Sequence, residues 1–288
     1  MESKIILVTG ASDGIGKETA KTLAKQGHTL IIHGRNPKKT KTAFEEIKSE
    51  SGSNNIDMFL ADFLSLADVK RFAEEIKKKY DRLDVLLNNA GAQFTDTREL
   101  TAEGHEKTMV INVLSPFLLT TLLLDTLKKS KSARVVTVAS AAHAMGGKPD
   151  LIDIELENSY TMPRAYGLSK LYIIWVMRHF VLEAKKQGIQ NVTFNSTHPG
   201  SVKSSLGRDA MKSWKYKIIY TIWGALMSNS MEAGIKGSIM GATSPELEGV
   251  SNLYLGPKGK EKANDKYYSP ENEQIIWDYC LKATEDYR

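Results

Sequence analysis

The sequence predicts an α/β fold, a doubly wound seven-stranded parallel sheet with helices on both faces. Short apolar runs alternate with amphipathic helical stretches from one end of the chain to the other, the pattern of a parallel sheet buried on both sides. A glycine-rich turn joins the first apolar run to the first amphipathic stretch. At 288 residues, 41% of them hydrophobic, the chain can bury a large core. No Pro/Gly/Ser-rich linker or internal repeat divides it, so residues 1–288 read as a single domain.

The strands in order are KIILVT, HTLIIH, IDMFLA, LDVLLN, ARVVTVAS, NVTFNS and SNLYL. Between the first two, Ile15, Ala20, Leu23 and Ala24 recur at helical spacing, and Gly27 follows as a C-terminal stop. Leu66, Val69, Phe72, Ala73 and Ile76 form a second apolar stripe after the third strand. The run MVINVLSPFLLTTLLL (109–124) is interrupted by Asn112 and Pro116 and falls short of the ~20 residues a membrane span needs, so it is expected to be a buried helix. Asn191 and Asn195 head glycosylation-type triplets in what reads as a buried strand, and are taken as chance matches.

Formal net charge is +5, enough to permit an anionic partner, but the basic residues stand beside acids in stretches such as EEIKSE and EEIKKKYDR. They read as solvated helix surface, and no nucleic-acid partner is expected. With Cys280 alone, neither an internal disulfide nor a thiolate cluster can form, and the six histidines lack ligand spacing, so no metal site is expected. The opening MESKIILVTG lacks the regions of a signal peptide, and a cytoplasmic setting is expected.

The turn VTGASDGIGKETA carries Gly10, Gly14 and Gly16. Glycine lets backbone amides approach a diphosphate closely, and the helix start supplies free N–H groups and a favourable dipole. Gly10, Ser12, Asp13, Gly14, Ile15 and Gly16 are therefore candidate cofactor contacts. After the second strand an acid would accept the ribose 2′-hydroxyl of NAD, whereas arginine suits the 2′-phosphate of NADP. Here HGRNPKK places Arg35 and Asn36 at that point, with Lys38 and Lys39 beyond, which favours NADP(H) over NAD(H).

RAYGLSK sets Tyr166 and Lys170 one helical turn apart on one face. A phenol, with its usual pKa of about 10, is a poor base at neutral pH. An ammonium ~4 Å away, at an effective dielectric of ~20, favours the phenolate by about 4 kcal/mol. The pair alone reads equally as a tyrosine and lysine sharing a surface. Ser140 favours a site, because it ends a strand at the sheet edge where ligands bind.

The spacing TGxxxGxG, followed in order by NNAG (88–91), Asn112 in VINVLSPF, Ser140 in VVTVAS, YGLSK (166–170) and HPGSVKS (198–204), resembles the short-chain dehydrogenase/reductase family over nearly the whole chain. The resemblance implies a Rossmann fold and hydride transfer between nicotinamide and a carbonyl or alcohol. It implies Tyr166 as general acid and base, Ser140 on the substrate oxygen, Lys170 on the nicotinamide ribose and Asn112 on a water-linked proton path. It places Asp62 and Phe63 beside the adenine and Asn89, Ala90 and Gly91 along the ribose. Pro199, Val202 and Ser204 fall at the carboxamide, Ser204 standing where threonine is usual. Asp13 departs from the basic residue that many NADP-preferring relatives carry in the turn. The family is often dimeric or tetrameric, and the sequence leaves a homo-oligomer open.

Residues 203–230 carry an apolar stripe that includes Trp214 and Trp223, with Lys212, Lys215 and Lys217 nearby. A core helix, an apolar substrate lid and a membrane-surface helix all remain open readings, the last not the expected one. Position after the sixth strand favours the lid by resemblance, and with it an apolar substrate. VASAAH, KPDLIDIELE and the tail SPELEGVSNLYLGPKGK look like the retinol dehydrogenase-like branch, which includes the WW-domain oxidoreductases and acts on lipophilic carbonyls and alcohols. Phe94, His143, Trp214 and Trp223 are the candidate pocket residues. Two other functions stay open: an NADP(H)-binding regulator without turnover, and a membrane-peripheral binding protein.

Overall fold

Successive residues of a strand point to opposite faces, so a strand apolar at every position requires a core on each side. The chain meets that requirement. The structure is a computed structural model and describes residues 2–202 and 229–288. Leu7, Ile31, Leu86 and Val135 enter one core, while Ile6, Val8, Leu30, Ile32, Val85, Leu87 and Val136 enter the other.

The strands are β1 (Ile5–Val8), β2 (Thr29–Gly34), β3 (Ile56–Leu60), β4 (Val85–Asn88), β5 (Ala133–Val138), β6 (Val192–Thr197), β7 (Tyr254–Gly256) and β8 (Gly259–Glu261). They form one sheet in the order β3-β2-β1-β4-β5-β6-β7-β8. All pairings through β7 are parallel, and all seven strands read from the sequence are present. The addition is β8, antiparallel to β7. Its three residues, Gly-Lys-Glu, are polar or lack a side chain, so the apolar pattern gave no sign of it.

The helices are α1 (Gly14–Lys25), α2 (Pro37–Ser51), α3 (Leu66–Lys79), α4 (Lys107–Lys128), α5 (Met162–Lys186), α6 (Met231–Thr243) and α7 (Pro270–Ala283). Side chains of α3, α4, α5 and α7 fill the first core, and those of α1, α2 and α6 fill the second. Asp13, Asn36, Ser65, Thr161, Ser230 and Ser269 cap six of these helices, each side chain accepting from a free N–H of the first turn. At the other end of α6, the buried Arg134 donates to Ser244 O at 2.8 Å, meeting a carbonyl the helix cannot pair itself.

Helix α4 is long and apolar enough to cross a membrane, but 78% of its most apolar window is buried inside the fold. It is the buried helix expected from the sequence, and its residues Val110–Leu114 widen into a π-helical turn. Asn191 and Asn195 both spend their amide nitrogens on backbone carbonyls, at Lys128 and Ser130 and at Val250 respectively.

Strand order reverses between β1 and β4, and the crevice beyond the C-terminal ends at such a reversal is the usual ligand position in these sheets. The glycine turn follows β1 and NNAG closes β4, so the two motifs face each other there.

Candidate functional site

The glycine turn is braced by groups at the ends of β1 and β4. Thr9 Oγ1 accepts from the Asn89 and Ala90 N–H groups, each at 3.0 Å. Asn89 Nδ2 donates back to Thr9 O at 2.8 Å and Gly10 O at 3.2 Å. A Cβ on Gly10 would lie 2.8 Å from Ala90 Cα, and one on Gly16 2.3 Å from both Asn89 Nδ2 and Gly10 O. Gly10 and Gly14 also take positive φ, 65° and 52°. A side chain at Gly10 or Gly16 would force the turn off the loop after β4, so these glycines keep it folded tightly at the start of α1, an arrangement that fits a diphosphate. Gly16→Ala is expected to destabilise the chain by about 2 kcal/mol and to abolish nucleotide binding, as read by thermal melts and calorimetric titration.

At the neighbouring strand ends the charges are paired. Arg35 Nη1 stands 3.6 Å from Asp62 Oδ2, both side chains largely exposed. Lys39 reaches back from α2 to Asp13, so the acid that departs from the family pattern is neutralised by a lysine the sequence placed only nearby. Ser12 packs close to Gly34, where a Cβ would meet it at 3.0 Å. Asn36 uses its side chain to cap α2, accepting from Lys39 N at 3.0 Å. Phe63 turns its ring inward, 4.0 Å from the His33 ring, so a ligand would meet its backbone.

Across the crevice, β5 ends at Val138 and Ser140 opens the 3₁₀ turn Ala141–Ala144, its Oγ accepting from Ala142 N at 3.2 Å. Tyr166, Lys170 and Asn112 are all buried. Gly146 and Gly167 let this turn and α5 touch, for a Cβ on Gly167 would lie 2.7 Å from Gly146 Cα and 2.9 Å from Ala142 O. That contact, legible only as a glycine inside YGLSK, keeps Ser140 beside Tyr166's helix.

Lys170 Nζ donates to Val138 O at 2.9 Å and lies 5.8 Å from the Tyr166 ring centroid. Burial pushes its pKa down to about 7. The sequence leads one to expect an ammonium at Lys170; in the fold desolvation opposes that charge, which is only partly retained at neutral pH.

Asn112 sits in the π-helical turn of α4. Its Nδ2 donates to Ala92 O at 3.0 Å and Ser169 Oγ at 3.1 Å, and its Oδ1 accepts from Ala92 N at 3.2 Å. Ser169, unremarked in the sequence, donates in turn to Tyr166 O at 2.8 Å. A Cβ on Gly91 would stand 2.8 Å from Asn112 Oδ1 and 3.2 Å from Lys170 Nζ, so NNAG, the π-turn and α5 converge.

Of the expected pocket residues, Phe94 is half-buried. His143 is buried and fully engaged: its Nδ1 lies 2.7 Å from Ser140 O and 3.2 Å from Tyr254 Oη, and its Nε2 accepts from Asn264 N at 2.8 Å. Those partners fasten Ser140's turn to the tail, and burial lowers the ring's pKa. Beyond Pro199, Gly200 N donates to His198 Nδ1 at 3.1 Å, and Val202 bridges to Asn229. Ser204, Trp214, Trp223 and the rest of the expected lid up to residue 228 lie outside the described residues. No cluster suited to a metal ion occurs among the described residues.

Residues 4–214 match the family model for short chain dehydrogenases. Human polyprenol dehydrogenase is 34% identical over 285 residues, covering 98% of this chain and 85% of its own length. Human retinol dehydrogenase 14 is 32% identical over 288 residues, covering 96% and 85%. A short chain dehydrogenase from Shigella flexneri, solved as a complex with NADP, superposes with a TM-score of 0.68 at 24% identity, covering 90% of this chain and 98% of that one, a likeness of fold. Crevice, cradle and similarity over nearly the full length agree: the chain belongs to the short-chain dehydrogenase/reductase family, in its retinol dehydrogenase-like branch.

Proposed function

We propose that this chain is an NADP(H)-dependent oxidoreductase of apolar carbonyls and alcohols, with Tyr166 as the general acid and base. The observation that carries the reading is the convergence of Gly91, Asn112 and Lys170 beneath Tyr166, across the crevice from a glycine cradle. Gly10, Gly14 and Gly16 would hold the diphosphate, Arg35 the 2′-phosphate, and Asn89, Ala90, Gly91 and Lys170 the nicotinamide side. The bound nicotinamide supplies or accepts the hydride.

In the direction of reduction, Tyr166 gives its phenolic proton to the substrate oxygen as negative charge develops there. Ser140 Oγ already accepts from Ala142 N, which leaves its own O–H to donate to the same oxygen. Lys170, its pKa near 7, takes up and releases protons near neutral pH, and Asn112 fixes the backbone around it. In oxidation the same groups run in reverse.

Apolar substrates are supported by the relatives' names, polyprenol and retinol dehydrogenase, both alcohols with long hydrocarbon bodies. NADP(H) is supported by Arg35 at the end of β2 and by the fold relative solved with NADP. Calorimetric titration with NADPH and NADH, then a screen of aliphatic and polyene aldehydes for loss of reduced-nicotinamide absorbance, tests the whole reading. Binding of neither nucleotide would overturn it.

Arg35→Ala isolates the cofactor preference. Losing charge-assisted bonds to a phosphate is expected to weaken NADPH about 30-fold and NADH less than about threefold. Equal losses for both nucleotides would remove Arg35 from the 2′-phosphate site.

A further inference from the structure

His33 stands near the end of β2, one residue before Gly34, where the sequence offers no reason for a histidine: the strand is buried, and its neighbours Leu30, Ile31 and Ile32 are aliphatic. The ring itself is 3% exposed. A buried imidazole must have its nitrogens satisfied, and the identity of the partners is informative. Gly10 N–H donates to Nδ1 at 3.2 Å. With Nδ1 accepting, the ring proton sits on Nε2 and is donated to Ala61 O at 3.0 Å. Burial holds the ring's pKa down to about 4, so this neutral tautomer is the form present at neutral pH even with Asp62 and Asp68 nearby.

These two partners belong to two different ligand loops. Gly10 opens the glycine cradle after β1, and Ala61 begins the loop after β3 that carries Asp62 and Phe63. The strand's own backbone adds to the tie, since Ala11 N donates to His33 O at 2.8 Å and Ala61 N to Gly34 O at 3.3 Å. Phe63 lies flat on the ring, centroids 4.0 Å apart and planes at 17°, while Ser115 Oγ holds Phe63 O at 2.7 Å. Gly10 is thus gripped on one side by Asn89 and Ala90 and on the other by His33.

We propose that His33 is a positioning residue for the nucleotide, tying the cradle after β1 to the adenine-side loop after β3 so that both stand in their binding shape before the ligand arrives. This rests on the reading of the crevice as an NADP(H) site. Pre-ordering two loops removes an ordering cost from binding, so losing the tie lowers affinity. An aliphatic residue at this position would leave the Gly10 N–H and the Ala61 C=O without their side-chain partner and let the two loops drift apart.

The test compares wild type with His33→Phe, His33→Asn and His33→Gln by calorimetric titration with NADPH and with 2′,5′-adenosine bisphosphate, alongside thermal melts. Phenylalanine keeps the stack on Phe63 and loses both hydrogen bonds. It is expected to raise Kd about tenfold for both ligands. Asparagine sets an acceptor where Nδ1 stood and glutamine a donor toward Ala61, so each keeps one end of the tie and is expected to raise Kd about threefold, between wild type and His33→Phe. A histidine serving stability alone would lower Tm in all variants without this rescue pattern. Equal Kd values for wild type and His33→Phe would overturn the proposal while leaving the nucleotide reading intact. Should His33→Phe fail to fold, Asn and Gln variants that both bind with wild-type affinity would overturn it. Failure of wild type to bind either ligand would overturn the nucleotide reading, and this proposal with it.

Discussion

Tyr166→Phe is expected to lower kcat about 10³-fold while NADPH affinity and Tm stay close to wild type. The substitution deletes one oxygen from a ring that is 7% exposed and leaves the ring's packing in place. The backbone link from Ser169 to Tyr166 O is untouched, so Asn112 stays oriented. On the proposed mechanism, what disappears is the proton donor for the developing alkoxide, which Ser140 would still hydrogen-bond but not protonate. Single-turnover rates at saturating NADPH are the right measurement, because they separate chemistry from binding. Retention of more than roughly a tenth of the rate would assign the acid to another group.

Lys170→Met should likewise abolish turnover, yet leave the nucleotide-free protein more stable than wild type at neutral pH. Lys170 is 3% exposed, and its pKa falls from 10.5 to about 7 through burial alone. The sign follows from proton counts: between about pH 7 and 10.5 the unfolded chain carries a proton here that the folded chain gives up, so stability rises with pH across that window. At pH 7 the lysine therefore costs the fold about 4 kcal/mol. Methionine of similar length removes that cost but forfeits the bond to Val138 O. A net gain of about 2 kcal/mol, or about 3 °C in Tm, is expected. The gap should close as the melts are carried toward pH 10, and a variant less stable than wild type at pH 7 would refute the account. A stability cost kept at a buried amine is what a functional site shows when chemistry opposes packing.

The parallel sheet was legible because its strands are buried on both faces and so apolar throughout, and β8 was missed because three polar or side-chain-free residues carry no such signal. The candidate site residues were legible for a different reason. Glycines at 10, 14 and 16, the pair Tyr166 and Lys170, and Ser140 after a strand are local patterns set by backbone clearance and helical spacing. The supports were not legible. His33, Ser169, the Gly146–Gly167 contact and the pairing of Lys39 with Asp13 join segments far apart in the chain, and each residue alone is unremarkable.

By itself, then, the amino-acid sequence determined the α/β architecture and the family motifs whose groups stand at its strand ends. Periodicity, glycine spacing and strand ends are local and follow from steric rules that need no partner. Only the tertiary structure decided the state of those groups. Burial sets the charge on Lys170, an inward turn buries the Phe63 ring against His33, and the engaged nitrogens of His143 fasten Ser140's turn to the tail. Desolvation and hydrogen-bond saturation depend on what packs around a group, and the packing comes from residues that the chain brings together only when it folds.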